Sequence, residues 1–107
     1  MSPSEPCAYV YIVRCADGSF YTGITRRSVE QRLNEHNSGL VEGYTSSRRP
    51  VELVWSQEFQ WATDAIAAER RIKGWSRKKK IALINGDWEG LRSAAKKSFG
   101  NRNAENA

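Results

Sequence analysis

The first apolar run of the chain, residues 8–15 (AYVYIVRC), is β-branched and aromatic almost throughout, the pattern of a largely buried strand. Asp17-Gly18 follows at once, a strong hairpin signal, so a second strand over residues 19–22, extending toward Ile24, should return antiparallel. Polarity then changes period. Ser28 with Gln31 three residues on reads as a capping box, Val29, Leu33 and His36 fall on one helical face, and Gly39 suits a left-handed end, which predicts a helix over residues 29–37.

Residues 39–50 lose all periodicity and hold Gly39, Gly43, Ser46, Ser47 and Pro50, a loop long enough to carry function through Tyr44, Arg48 and Arg49. Residues 51–59 (VELVWSQEF) alternate well enough for a third strand. Thr63 and Asp64 are then expected to cap a helix over residues 65–74, in which Ala65, Ala68, Ile72 and Trp75 form a stripe facing the sheet, with Glu69 beside it. Ser76 is placed to cap a third helix, RKKKIALI, with Ile81 and Ile84 expected inside, Lys78, Lys79 and Lys80 outside, and Gly86 at its end. A last short helix over residues 88–97 and a frayed tail over residues 101–107 complete the pattern.

Charge changes this picture once it is located. The 107 residues carry a formal +5, but seven bases and no acid lie within residues 70–80, and the remainder sums to −2. A basic excess confined to one short segment points to a polyanion, with nucleic acid the first partner to expect. The length suits a single small domain. Cys7 and Cys15 fit neither a metal-binding spacing nor a stapled secreted scaffold, and no apolar stretch is long enough to span a bilayer, so the expectation is a cytoplasmic protein with reduced thiols and no membrane partner.

Four features then fall into order. Tyr9-Val10-Tyr11 and Tyr21-Thr22-Gly23 sit nine residues apart on the two paired strands, Arg32 and His36 follow in the first helix, and Glu69 lies in the second, within Ala68-Glu69-Arg70-Arg71-Ile72-Lys73-Gly74-Trp75. This ordered set resembles the GIY-YIG nuclease superfamily, and within it the small stand-alone YhbQ-like proteins. The resemblance spans most of the chain and implies an α+β fold, a three-stranded antiparallel sheet flanked by helices. It divides the sequence into a tail over residues 1–7, a nuclease domain over 8–92 and a basic tail over 93–107.

The residues read the same way on their own. Tyr11 and Tyr21 lie on neighbouring antiparallel strands, each directed to a fixed face, and Arg32 and His36 are i and i+4 on one helix. The resemblance implies a DNA endonuclease leaving 5′-phosphate and 3′-hydroxyl ends, acting on single-stranded, branched or distorted DNA, with RNA a further possible partner. It makes Glu69 the ligand of one Mg²⁺ or Mn²⁺ ion, Tyr11 the leading general base, and Tyr21 the residue that positions water or phosphate. Arg32 becomes the donor to developing charge, and His36 the partner of the tyrosine. Gly23, at the end of its strand, Arg48, Arg49, Arg70, Lys73, Arg77, Lys78, Lys79 and Lys80 are the expected DNA contacts, and Asn85 is a positional match to the family's late asparagine.

Plainer readings stand beside these. The tyrosines can be strand packing, Arg32 a surface charge, His36 a partly buried helix-end residue, Glu69 an i,i+4 partner of Lys73, and the basic run a solvated face. Two other classes use the same features: a nucleic-acid-binding module without catalysis, and an adaptor for a partner nuclease. An ordinary phenol has a pKa of about 10, so roughly one in a thousand is ionised at pH 7, a cost of about 4 kcal/mol that Arg32 and a metal ion would reduce. Cleavage should therefore rise toward alkaline pH; a flat profile of the chemical step from neutral to mildly alkaline pH would argue against a phenolate base.

Overall fold

A computed structural model describes residues 7–93. In chain order it has β1 (Ala8–Arg14), β2 (Phe20–Thr25), α1 (Val29–Ser38), β3 (Glu52–Phe59), α2 (Ala62–Lys73) and α3 (Arg77–Ile84), and residues 88–93 are helical. The three strands form one antiparallel sheet in the order β2-β1-β3. The α+β fold class read from the pattern is the one observed. The chain divides into two compact units between Gly74 and Trp75. No helix among the described residues is long and apolar enough to cross a membrane.

β1 is the central strand, which is why its sequence is apolar at consecutive positions. Val10, Tyr11, Ile12 and Val13 are all buried, two toward each face. On one face Tyr11, Val13 and Cys15 pack with Tyr21, Leu53, Val51 and the α1 residues Val29 and Leu33. On the other, α2 lies against all three strands, and Ala62 and Ile66 share a small cleft with Ala8 and Ile24. β2 is longer than its alternation predicts. Gly23 lies inside it, paired with Tyr11, and not at a strand end as expected.

The third strand is not a simple alternation. Ile12 pairs with Trp55 but Val13 pairs with Leu53, so the register shifts by one residue at Val54. A bulge of this kind turns the following side chains to the opposite face. Leu53 thereby serves the α1 side while Trp55 shares the face of Ile12.

Local signals set most helix ends. Ser28 Oγ accepts from Gln31 N, and Gly39 closes α1 at φ 85°. Ser76 Oγ accepts from Lys79 N in the same way. The expected Thr63/Asp64 cap is corrected: α2 starts at Ala62 behind Trp61, which makes no side-chain cap. Only Gln60 and Trp61 separate β3 from the helix, so the chain turns helical as soon as the strand ends, and Asp64 sits in the first turn, where its charge favours the helix dipole.

In the second unit, Ala82 and Leu83 are buried while Ile81 is 38% exposed, against the expectation that Ile81 and Ile84 point inward. Eight residues make barely two turns, too few for the apolar pattern to choose the buried phase. The parts of residues 88–97 beyond Ser93, and the tail over 101–107, lie outside the described residues.

Gly23 carries the tightest steric requirement in the sheet. A Cβ there would meet the Tyr11 hydroxyl and lie 2.5 Å from its ring Cζ. Because Tyr11 is buried and cannot swing away, Gly23→Ala should cost about 1–3 kcal/mol of stability. In a Tyr11→Val background the same change should cost little. Urea unfolding of the four proteins measures this cycle, and an additive result would show that the ring is not what excludes the methyl group.

Candidate active site

The site is built on the face of β1 that carries Tyr11. Tyr21 stands diagonally across from it, because Tyr11 pairs with Gly23 and Val13 with Tyr21, and both tyrosines point to the same side. The Ser28 cap sets the phase of α1, which brings Arg32 and His36 to the sheet on one helical face. His36 is fully buried. Its Nε2 lies 2.8 Å from the Tyr11 hydroxyl and its Nδ1 2.8 Å from Thr45 Oγ1. Both tyrosine rings meet the imidazole edge-on, at centroid separations of 5.8 and 5.6 Å.

Arg32 places its positive charge beside the Tyr11 side chain and donates from Nη1 to Glu35 Oε1 at 3.0 Å. Its Nε is buried and without a hydrogen-bond partner among the described residues, leaving one donor of the fork uncommitted beside Tyr11. Glu35 in turn pairs with Arg27 at 2.7 Å, and its hydrogen bond to Arg32 holds its carboxyl below the usual range. Burial pushes the Tyr11 phenol above its ordinary value, and Arg32 pulls it down only in part. The expectation that Arg32 would ease ionisation therefore has the right sign and is outweighed by desolvation. Burial, with the Arg32 charge second, pushes His36 below its ordinary value, so the resting pair is a neutral phenol and a neutral imidazole.

Glu69 is linked to Tyr21 through Lys73. Lys73 Nζ is 3.1 Å from Glu69 Oε2 and 5.6 Å from the centroid of the Tyr21 ring, so one ammonium is in reach of both. The i,i+4 pair is real, but it is not a solvated surface pair: the Glu69 side chain is only 13% exposed.

The 39–50 loop is fastened at several points. Thr45 is buried against His36, and the Asn37 side chain bonds both the N–H and the C=O of Val51. Tyr44 stacks on Tyr21 at 6.0 Å, and the Arg48 guanidinium lies 3.9 Å from the Tyr44 ring centroid while its Nε reaches Asp17 Oδ2. Arg49 donates to the carbonyls of Ser46 and Asn37. Arg48 and Arg49, expected as DNA contacts, thus hold the loop to the hairpin and to α1. Gly23, likewise expected to admit a phosphate, has its space taken by the Tyr11 ring.

Arg70 is exposed on the last turn of α2. Arg77, Lys78, Lys79 and Lys80 belong to the second unit, where the Lys79 ammonium lies 4.3 Å from the Trp75 ring centroid. Asn85 is there the C-cap of α3. Thr45, Glu35 and Asn37 carry no site expectation from the sequence, whereas Tyr44 does; only the length of the loop, with its threonine beside that tyrosine, offers a signal for Thr45.

Three comparisons place this geometry among known proteins. Residues 7–82 match the family model described as the GIY-YIG catalytic domain. The chain is similar to a UPF0213 protein of Staphylococcus saprophyticus, 46% identical over 77 residues, covering 72% of this chain and 93% of that protein. It is also similar to a UPF0213 protein of Bacillus pumilus, 47% identical over 76 residues, covering 71% and 76%. Among solved structures, the solution NMR structure of the E. faecalis protein EF2693 is 38% identical, with a TM-score of 0.53, covering 80% of this chain and 90% of that one.

His36 is the single histidine of the chain, which isolates its effect on stability. Its folded pKa lies below the ordinary 6.5, so the unfolded chain binds the proton more readily. Stability is complete above pH 6.5 and falls as pH drops through that value toward the folded pKa, before most carboxylates titrate. Urea midpoints measured across this window should decline in the wild type and stay level in His36→Gln. Equal slopes would mean that His36 protonates freely in the fold.

Proposed function

This chain belongs to the GIY-YIG family, and from that premise we propose that it is a metal-dependent endonuclease hydrolysing phosphodiester bonds of DNA to 5′-phosphate and 3′-hydroxyl ends. The observation that carries the reading is the Tyr11 hydroxyl, buried in the central strand, 2.8 Å from His36 Nε2 with the Arg32 charge beside it, on the same side as Tyr21, whose ring the Glu69-paired ammonium of Lys73 approaches. Packing alone does not call for an imidazole, a guanidinium and a second phenol gathered about one buried phenol.

Hydrolysis needs a water oxygen made nucleophilic and charge stabilised on the phosphoryl oxygens. Tyr11 is the base that takes the water proton, with His36 and Arg32 favouring its ionised form. Arg32, whose side chain is 28% exposed, is a donor for a phosphoryl oxygen. Tyr21, braced by His36 and Tyr44, orients the water or the phosphate.

The residues fit a hard divalent ion. No group of three or more His, Cys, Asp or Glu side chains able to hold a metal exists among the described residues, which disfavours a four-ligand zinc-type centre. A lone, mostly buried carboxylate, Glu69, suits Mg²⁺ or Mn²⁺, which keep several waters and take substrate phosphate oxygens as ligands. Such an ion would stabilise charge on the scissile phosphate and its departing oxygen.

Arg70, Lys73, Arg77, Lys78, Lys79 and Lys80 are the cations proposed to follow the nucleic-acid backbone. Distorted, branched or single-stranded DNA is the proposed substrate class.

The test is incubation of the purified full chain with labelled single-stranded, duplex and branched DNA, and with RNA, with and without Mg²⁺ or Mn²⁺. Cleavage should require the ion. Tyr11→Phe and Glu69→Gln should each lower the rate by about a hundredfold or more while Glu69→Gln still binds DNA. Binding without cleavage under every condition would favour a non-catalytic module, and undiminished cleavage by both variants would point to a contaminant.

A further inference from the structure

Thr45 comes from the loop, far from either tyrosine in sequence, yet its side chain is 1% exposed and ends on His36 Nδ1. That is the hydroxyl's hydrogen-bond partner among the described residues. The Tyr11 oxygen lies on the other ring nitrogen, with the Arg32 charge beside it. Thr45, His36 and Tyr11 therefore form a closed row of three protons and two shared hydrogen bonds, and in either tautomer one hydroxyl hydrogen is left over.

With the imidazole proton on Nδ1, Thr45 must accept, Tyr11 donates to Nε2, and the leftover hydrogen belongs to Thr45. With the proton on Nε2, Thr45 donates to Nδ1, Nε2–H donates to the Tyr11 oxygen, and the leftover hydrogen belongs to Tyr11. Only the second surplus can be removed: a phenol can ionise, whereas an aliphatic hydroxyl buried without a second acceptor cannot. Granted the nuclease reading, we propose that Thr45 is a positioning residue that holds His36 with its proton on Nε2, so that the ionised Tyr11 oxygen accepts the Nε2–H hydrogen bond when it takes a proton from water.

The charged and titratable groups facing this row are known from each element around it. Arg32 favours the phenolate, while Glu35 on the same helix and Tyr21 on β2 oppose it. The loop adds Tyr44 with Arg48 over its ring, and α2 adds Lys73 beside Tyr21. None of these touches Nδ1, so the tautomer is left to Thr45.

His36 is the sole histidine, so the ring-nitrogen chemical shifts of a histidine-labelled sample report it alone. At a pH where the ring is neutral, the wild type should carry its proton on Nε2. Thr45→Val, close in shape but without the hydroxyl, should raise the Nδ1-protonated population, and Thr45→Ser should restore the wild-type signals. The Cζ shift of Tyr11 should show its ionisation moving up by about one pH unit in Thr45→Val, with cleavage about tenfold slower near neutral pH and converging with wild type in alkali. A wild-type proton on Nδ1 overturns the proposal without any variant. So do His36 and Tyr11 signals unchanged by Thr45→Val. An absence of cleavage by the wild type would instead remove the nuclease reading, while the chemical shifts still decide the role of Thr45.

Discussion

Everything around the site is arranged about one buried contact: the Tyr11 ring lying over Gly23, with its hydroxyl 2.8 Å from His36 Nε2. A large phenol in the central strand has no room to turn. Its cross-strand neighbour must lack a side chain, the helix beyond must present an imidazole at one height, and the segment after that helix must come back to hold the far side of the ring. A missing hydroxyl, a methyl group in place of a hydrogen, or a helix rotated by one residue each breaks the same contact.

That contact also sets the electrostatics. Burial opposes ionisation of Tyr11 and protonation of His36 alike, so the resting row is uncharged, and the guanidinium of Arg32 and the carboxylate of Glu35 act on it with opposite sign. Arg32 is in turn shared with Glu35, which is tied to Arg27. The phenol is thereby set beside a cation and an imidazole without being ionised in advance. Such a balance suits a base that is to be charged only in the presence of its substrate.

Much of this could be read along the chain. The Asp17-Gly18 turn, the Ser28 and Gln31 pair, Gly39 and Ser76 are local devices, each satisfied within a few residues, and each acts where its chemistry indicates. Tyr11, Tyr21, Arg32 and His36 were visible because strand and helix periods put side chains on faces that can be counted. Where a choice depended on a distant partner, the pattern was silent or misleading. The bulge at Val54, the early start of α2 and the buried phase of α3 are three such choices. The loop was harder still, since a segment without a period gives no face to count: Thr45 looked like any turn residue, and Arg48 and Arg49 like free cations.

What the sequence by itself determined was the order of elements, the strand on which the phenol sits and the helix face opposite it, because those follow from neighbours along the chain. The tertiary structure alone decided which groups touch. It laid the Tyr11 ring on Gly23, turned Thr45 inward to His36, spent Arg48 and Arg49 on holding the loop, and set Lys73 between Glu69 and Tyr21. These contacts join residues up to tens of positions apart, and their energies depend on burial and distance, quantities that do not exist until the chain has closed on itself.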